Sequence, residues 1–126
     1  ITIFDAPPGA SCSVVETLRG VDFALLVTEP TPFGLHDLKQ MLGIVEEMKI
    51  PCGVVINREG IGNDQVLEYL ADLDIPVLMH IPFEKEIAQG TAAGWSLIDI
   101  YPGYQEKFQQ LYQKIRMIVN QRSGVL

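Results

Sequence analysis

Cysteine is scarce in this sequence, which has only Cys12 and Cys52 among its 126 residues. One follows a Pro-Pro-Gly turn and the other begins an apolar run, so the two predict neither a disulfide framework nor a metal site. No pair of histidines or cysteines has the spacing of metal ligands. We therefore expect a reducing, cytoplasmic environment.

Basic residues are also few. Lysine and arginine together number nine, against sixteen aspartates and glutamates, and the net charge is −7. The nine basic residues are scattered along the chain. Because nucleic-acid backbones are bound by clustered lysine and arginine side chains, this composition excludes a general nucleic-acid-binding protein.

Long hydrophobic runs are missing. The longest, such as "FALLV" and "GVVI", are far too short to cross a bilayer, so we expect no stable membrane insertion. The first residues lack the basic segment, apolar stretch and cleavage site of a secretory signal.

What is present is a composition typical of a globular protein. Apolar residues make up 48% of the chain and charged residues 20%, so we expect a hydrophobic core. The length falls within the usual range for one domain, and we treat residues 1–126 as a single domain.

Short apolar runs alternate with stretches of helical periodicity. The runs "ITIF", "DFALLVT", "CGVVIN" and "PVLMHI" predict four strands, and the stretches between and after them predict helices. Before the second helix, Thr31 is a predicted N-cap with Pro32 at the first helical position. This alternation predicts an α/β fold, with a parallel sheet of about four strands and helices on both faces.

In parallel sheets of this kind, ligands bind outside the carboxyl ends of the strands. The four predicted strand ends carry polar or turn-forming residues: Asp5, Pro7, Pro8 and Gly9; Thr28, Glu29 and Pro30; Asn57 and Arg58; His80, Pro82 and Phe83. We expect the functional surface at this edge of the sheet.

Asp5 has two interpretations. It caps the following turn, or it is a Walker B-like carboxylate that holds Mg²⁺, directly or through water, near the phosphates of a nucleotide. The next residues favour the second interpretation. Two prolines and a glycine form a stiff turn that ends in a flexible joint, which suits a loop that moves when a phosphate binds or leaves.

Four segments resemble the MinD/ParA family (CobQ/CobB/MinD/ParA) of deviant P-loop ATPases. "DAPPG" resembles the switch II region of that family, and "VTEPTPFGLHDL" resembles the strand and helix that follow it. "VVINR" is similar to the adenine-contacting strand end, and "IPFEKEIAQGTAAG" to the loop around the base. The resemblance covers about residues 1–118, and "PPGASC" brings it nearest to the subgroup with ferredoxin-like iron–sulfur insertions.

The resemblance implies roles for particular residues in a three-layer, SIMIBI-like P-loop NTPase fold. Asp5 would assist Mg²⁺ and the attacking water, within a switch II loop of Ala6, Pro7, Pro8 and Gly9. Asn57 would hydrogen-bond the adenine edge, and Arg58, Pro82, Phe83 and Glu84 would line the base. ATP and Mg²⁺ are then the expected ligands of the intact protein. Whether 4Fe–4S clusters bind to other segments stays open.

A glycine-rich loop with a lysine, which would hold the phosphates, does not occur in this sequence. The chain therefore resembles the C-terminal portion of such an ATPase, and we expect no ATP hydrolysis by this chain alone. The intact protein would couple ATP to dimerisation and to a partner or iron–sulfur function. One alternative is a stand-alone, non-catalytic dimerisation or partner-binding module. A receiver-type phosphoacceptor fits less well, because the acidic pair and late lysine of a receiver are missing.

In the resembled family, the phosphate-binding strand lies between the strands that correspond to "ITIF" and "DFALLVT". Without that strand, two apolar strands have free edges, and unpaired edges invite pairing. We expect the two strands either to pair with each other within the chain or to associate with another copy, and we expect a homodimer or other self-association. Binding of another protein partner stays open.

Overall fold

The structure is a computed structural model that describes residues 1–122 of the chain. Its elements follow in the order α1 (Cys12–Leu18), β1 (Ala24–Thr28), α2 (Pro32–Glu47), β2 (Cys52–Glu59), α3 (Gln65–Asp72), β3 (Val77–Pro82), α4 (Lys85–Ala92), α5 (Leu97–Ile100) and α6 (Tyr104–Arg122). The predicted alternation of strands and helices is confirmed.

The three strands form one parallel sheet in the order β1-β2-β3. Ala24 lies opposite Cys52, and Thr28 lies opposite Ile56. The β2–β3 ladder is irregular between Ile56 and Glu59, where the register shifts before Glu59 pairs with Pro82. Parallel neighbours require crossover connections, and α2 and α3 provide them. The expected α/β class is confirmed.

The predicted first strand is absent from the sheet. Residues 1–7 have no regular secondary structure, and Ile1, Ile3 and Phe4 are 89%, 83% and 63% exposed. The expectations of about four strands and of pairing between "ITIF" and β1 are therefore wrong for residues 1–122. The reason is that a short apolar run becomes a strand only when a neighbour pairs with its backbone, and this segment has none here.

One face of the sheet packs against α1, α2 and α3. Helical spacing places the apolar residues of each helix on one side. The buried residues of this cluster are Val14, Leu18, Ala24, Leu26, Leu38, Leu42, Val45, Val54, Ile56, Val66 and Leu70. At the start of α2, the Thr31 hydroxyl accepts a hydrogen bond from the Gly34 N–H at 3.0 Å, and Pro32 occupies the first turn. The predicted N-cap is confirmed.

The other face packs chiefly against α6. The buried residues of this second cluster are Val55, Leu78, Met79, Tyr104 and Leu111. Helices thus cover both faces of the sheet, as expected. The second face remains open over β1, where Leu25 and Val27 alternate with buried neighbours and are 38% and 63% exposed.

The short helix α5 was not predicted. It begins with a capping box in which the Ser96 hydroxyl accepts from the Asp99 N–H, and the Asp99 carboxylate accepts from the Ser96 N–H. The pattern S-x-x-D was available in the sequence as a signal of a helix start. Among residues 1–122, no helix has both the length and the apolar character needed to cross a bilayer.

The two cysteines are expected to react with a thiol reagent in two well-separated phases. Cys12 is exposed and Cys52 is half-buried. Burial raises the pKa of the Cys52 thiol, and the positive charge of Arg122 offsets this only in part. Because a raised pKa lowers the thiolate fraction and burial limits access to the sulfur, we expect the Cys52 phase to be the slower one.

A chromogenic disulfide reagent at neutral pH measures both phases. Cys12→Ser should remove the fast phase, and Cys52→Ser should remove the slow phase. A single phase of two thiols, or a fast phase that survives Cys12→Ser, would contradict the burial of Cys52.

Candidate functional site

Three loops meet at the carboxyl end of the sheet. They follow β1, β2 and β3 and are joined by backbone hydrogen bonds. The Asn63 N–H donates to the Pro30 carbonyl at 3.1 Å, and the Phe83 N–H donates to the Glu59 carbonyl at 2.9 Å. These bonds hold the first loop to the second and the second to the third, so the strand-end residues form one surface.

Arg58 is the centre of this surface. Its Nε lies 3.6 Å from the Glu29 carboxylate, and its guanidinium carbon lies 6.0 Å from the centroid of the Phe83 ring. The side chains of Arg58 and Glu29 are 56% and 42% exposed, so the ion pair contributes little to stability. The ion pair instead positions the planar guanidinium of Arg58 next to the face of the Phe83 ring, where solvent can reach it.

The backbone at Arg58 is unusual. Its φ is +55°, in the left-handed region that non-glycine residues seldom adopt. The Asn57 side-chain oxygen accepts a hydrogen bond from the Arg58 N–H at 3.0 Å, which stabilises this local conformation. Arg58 thus lies in the stretch of β2 where the ladder to β3 is irregular, between Ile56 and Glu59.

Two glycines allow the first loop to pack this closely. A Cβ at Gly62 would overlap the Pro30 carbonyl, and a Cβ at Gly34 would overlap the Glu29 carbonyl. The Thr28 hydroxyl donates to the Gly34 carbonyl at 3.1 Å. Any side chain at these two positions would push the loops apart, because the obstacle is backbone in both cases.

Glu84 lies within hydrogen-bond distance of a tyrosine hydroxyl. The Tyr101 hydroxyl, which has a single proton to donate, lies within hydrogen-bond distance of the carboxylates of Glu86 and Glu84, the latter at 3.0 Å. The contact with Glu86 has the largest effect, and together the contacts raise the pKa of the Tyr101 phenol above its usual range. Glu84 therefore lies next to Tyr101. Pro82 pairs with Glu59, and the Phe83 ring lies next to Arg58.

Asp5 and the loop of Ala6, Pro7, Pro8 and Gly9 make none of these contacts. All five residues are exposed. Within residues 1–122, none of the hydrogen bonds or ion pairs involves them. Gly9 has a φ of +92°, a left-handed conformation that favours glycine at this joint. The structure thus brings together the expected base-side residues but does not join Asp5 to them.

The donor set fits a base better than a phosphate or a metal ion. The described part of the chain has no group of three or more His, Cys, Asp or Glu side chains arranged to hold a metal. Asp5 offers one exposed carboxylate, and Mg²⁺ requires several more oxygens in near-octahedral geometry. An aromatic ring, a guanidinium and a carboxamide suit a flat heterocycle that stacks and hydrogen-bonds.

The sequence offered no direct signal for two contacts near the site. Glu29 was recognised as a strand-end residue, but not as the partner of Arg58. The His80 Nδ1 lies 3.2 Å from the Glu59 carboxylate, at the same edge of the sheet. Both contacts join residues that are distant in the chain and meet only through strand pairing.

Concave space near the site is limited. A depression of about 200 Å³ lies at the end of β1, lined in part by Thr28, Glu29 and Phe33. This is below the usual range for small-molecule sites, which is about 300–1,000 Å³. A larger depression of about 490 Å³ lies along α6, beside Phe108, Tyr112 and Arg116. The strand-end site is therefore an open surface.

Comparison with protein-family models gives no match for this chain. Two proteins of Methanocaldococcus jannaschii are similar to it. The chain is 36% identical over 120 residues to the uncharacterized protein MJ0579. This alignment covers 95% of this chain and 38% of MJ0579. The chain is 25% identical over 117 residues to the uncharacterized protein MJ0578, and this alignment covers 93% of this chain and 40% of MJ0578. The chain thus spans about two fifths of the length of these relatives.

Proposed function

We propose that this chain forms the base-binding side of a nucleotide site in a MinD/ParA-like ATPase, of which it is the C-terminal portion. ATP and Mg²⁺ would be the ligands of the intact protein. The observation that carries the proposal is the position of Arg58, which lies between Glu29 and Phe83 at the carboxyl end of a parallel sheet. This is the edge at which α/β proteins bind their ligands.

Each residue of the site has a part in the proposed binding. The Phe83 ring is 52% exposed and offers a face on which a base stacks. The Asn57 amide group is free to donate to a ring nitrogen, while its oxygen already accepts from the Arg58 N–H. Arg58 adds a second planar group, which the Glu29 carboxylate holds in position.

The phosphates and the metal would be bound by other segments of the intact protein. There Asp5 would assist Mg²⁺ and the attacking water, and ATP would control dimerisation and a partner or iron–sulfur function. The greater length of the two relatives supports this division, because about three fifths of each lies outside the aligned region.

The proposal is tested by titrating the ¹⁵N-labelled chain with adenosine and with ATP and Mg²⁺, followed by NMR. We expect shifts at Asn57, Arg58 and Phe83, with a dissociation constant on the order of millimolar. ATP should bind no more tightly than adenosine, because the phosphates gain no partner. Phe83→Ala should weaken binding by about fivefold or more, since stacking on an aromatic ring contributes about 1–3 kcal/mol.

Arg116→Ala is the matched control for Arg58→Ala, since Arg116 also lies over an exposed aromatic ring, that of Tyr112, at 5.9 Å. Arg58→Ala should weaken adenosine binding and Arg116→Ala should not. Equal effects of the two variants, or no shifts at the strand ends with saturating adenosine, would refute the proposal. ATP turnover by the chain alone would refute the assignment of phosphate and metal binding to other segments of the intact protein.

The second candidate is a non-catalytic dimerisation or partner-binding module. The exposed apolar strip on β1, formed by Leu25 and Val27, favours it. A chain that self-associates and shows no adenosine-dependent shifts would support this candidate over the nucleotide site.

A further inference from the structure

His80 and Glu59 join two neighbouring strands at the edge that carries the candidate site. The His80 Nδ1 on β3 lies 3.2 Å from the Glu59 carboxylate on β2. The backbone carbonyl of Glu59 also accepts a hydrogen bond from the Phe83 N–H at 2.9 Å. Glu59 follows Arg58 directly in the chain. It therefore contacts β3 through its side chain and the residue after β3 through its backbone.

The side-chain contact lies where the ladder between β2 and β3 is irregular. The register shifts between Ile56 and Glu59, before Glu59 pairs with Pro82. Arg58 lies inside this stretch and has a left-handed backbone conformation. Such an irregularity interrupts the ladder hydrogen bonds, so the contacts that flank it set the relative position of the two strands. The contact between His80 and Glu59 is one of these.

In this pair, His80 is the group whose charge changes near neutral pH. Histidine gains and loses a proton within the physiological pH range, whereas glutamates are ordinarily ionised there. The neutral ring donates from one nitrogen only, but the protonated ring donates from both and carries a positive charge. Because a charge-assisted hydrogen bond is shorter and stronger than a neutral one, protonation of His80 strengthens the contact with Glu59.

Other charged groups on the elements around β3 have partners of their own. On α6, Lys114 donates to a backbone carbonyl of β3 at 3.0 Å. The other basic side chains of α6 lie against tyrosine rings or donate to a carbonyl elsewhere: Lys107, Arg116 and Arg122. After β3, two carboxylates contact the Tyr101 hydroxyl: Glu84 and Glu86. Among residues 1–122, Glu59 is the acid within ion-pair distance of His80.

We infer that His80 is a positioning residue for the base-binding surface: its protonation strengthens the contact with Glu59 and thereby holds Phe83 and Arg58 in the geometry that binds a base. The effect on base affinity rests on the proposed function, whereas the effect on Phe83 does not. Below the titration range of histidine the contact is charged, and above that range it is neutral. Affinity for a base therefore rises as the pH falls.

Hydrogen exchange of the free chain tests the positioning without any ligand. After correction for the intrinsic exchange rate, protection of the Phe83 amide should be about two- to fivefold greater near pH 5.5 than near pH 7.5, since the ion pair is partly exposed. The Val54 amide is the internal control, because it donates to the Pro76 carbonyl at 3.0 Å in the same ladder. Its protection should change little, and His80→Gln should abolish the change at Phe83.

Titration with adenosine at the same two pH values, followed by NMR, tests the effect on binding. The dissociation constant should be about two- to fivefold lower near pH 5.5 than near pH 7.5. His80→Gln should make the constant independent of pH. His80→Lys, which supplies a permanent positive charge, should make it independent of pH at the lower value.

His36→Gln is the matched control. His36 is the other of the two histidines in the sequence, and it lies exposed on α2, 3.4 Å from the Gln40 side chain. This variant should keep the pH dependence of the parent chain. Circular dichroism should show that all the variants stay folded, because both histidines are exposed.

The outcomes separate this inference from the proposed function. Failure of adenosine to bind, with Phe83 protection that depends on pH and on His80, would refute the nucleotide site and support the role of His80. Adenosine binding with one constant at both pH values would leave the nucleotide site standing and overturn the inference. Phe83 protection that His80→Gln leaves unchanged would overturn it as well.

Discussion

Replacing Leu70 with alanine is expected to lower the free energy of unfolding by about 3 kcal/mol. Leu70 is 1% exposed and lies in α3, in the same buried cluster as Val54, Ile56 and Val66. Removing its side-chain carbons forfeits their burial and leaves a cavity that a close-packed core closes only in part. A domain of this size is stabilised by about 5–15 kcal/mol in total, so the loss is a large fraction.

Urea denaturation followed by circular dichroism measures this change. Leu73→Ala is the matched control, because Leu73 follows α3 directly and is 49% exposed. The control should change stability by about 0.5 kcal/mol or less. Equal losses in the two variants would contradict the packing of α3 against the sheet.

Replacing Gly62 with alanine is expected to cost about 2 kcal/mol of stability and to disturb the candidate site. The added Cβ would overlap the Pro30 carbonyl, and neither backbone can yield without moving its loop. The Asn63 N–H would lose its hydrogen bond to that same carbonyl. Because Glu29 belongs to the displaced loop, its ion pair with Arg58 should also be lost.

Gly43→Ala is the matched control. Gly43 lies inside α2, and a Cβ there meets no atom within 4 Å. Alanine in a helix interior is favoured over glycine by about 0.5–1 kcal/mol, so this variant should be more stable than the parent chain. Urea titration gives both stabilities, and amide NMR shifts at Arg58 report the site. A Gly62→Ala chain with unchanged stability and unchanged shifts would refute the close approach of the two loops.

Much of the fold could be predicted from the sequence, because its signals are local. Apolar runs placed the strands that became β1, β2 and β3, and helical spacing placed α2, α3 and α6. The N-cap at Thr31 rests on a pattern of neighbouring residues, and the structure confirms it. The run "ITIF" carried the same local signal but forms no strand, because a strand also needs a partner, and among residues 1–122 β1 pairs with β2 alone.

The candidate site was predictable in position but not in its contacts. Asn57, Arg58 and Phe83 were expected at one edge of the sheet because the carboxyl ends of parallel strands meet there. The contact between Arg58 and Phe83 depends on the register that sets Glu59 opposite Pro82, after an irregular stretch. The contact of Glu84 could not be predicted either, since its partner Tyr101 lies seventeen positions away in the chain. The two residues meet because α5 packs next to α4.

The sequence by itself determined the α/β class, the positions of the three strands that enter the sheet, the cap of α2 and the edge at which polar residues gather, but not that "ITIF" stays out of the sheet. Each of these follows from interactions between residues that are near in the chain. Only the tertiary structure decided which strand has a free edge, which acid pairs with Arg58 and which residue binds Glu84. These depend on register, crossover connections and the close backbone packing at Gly62, all of which involve residues that are distant in the chain.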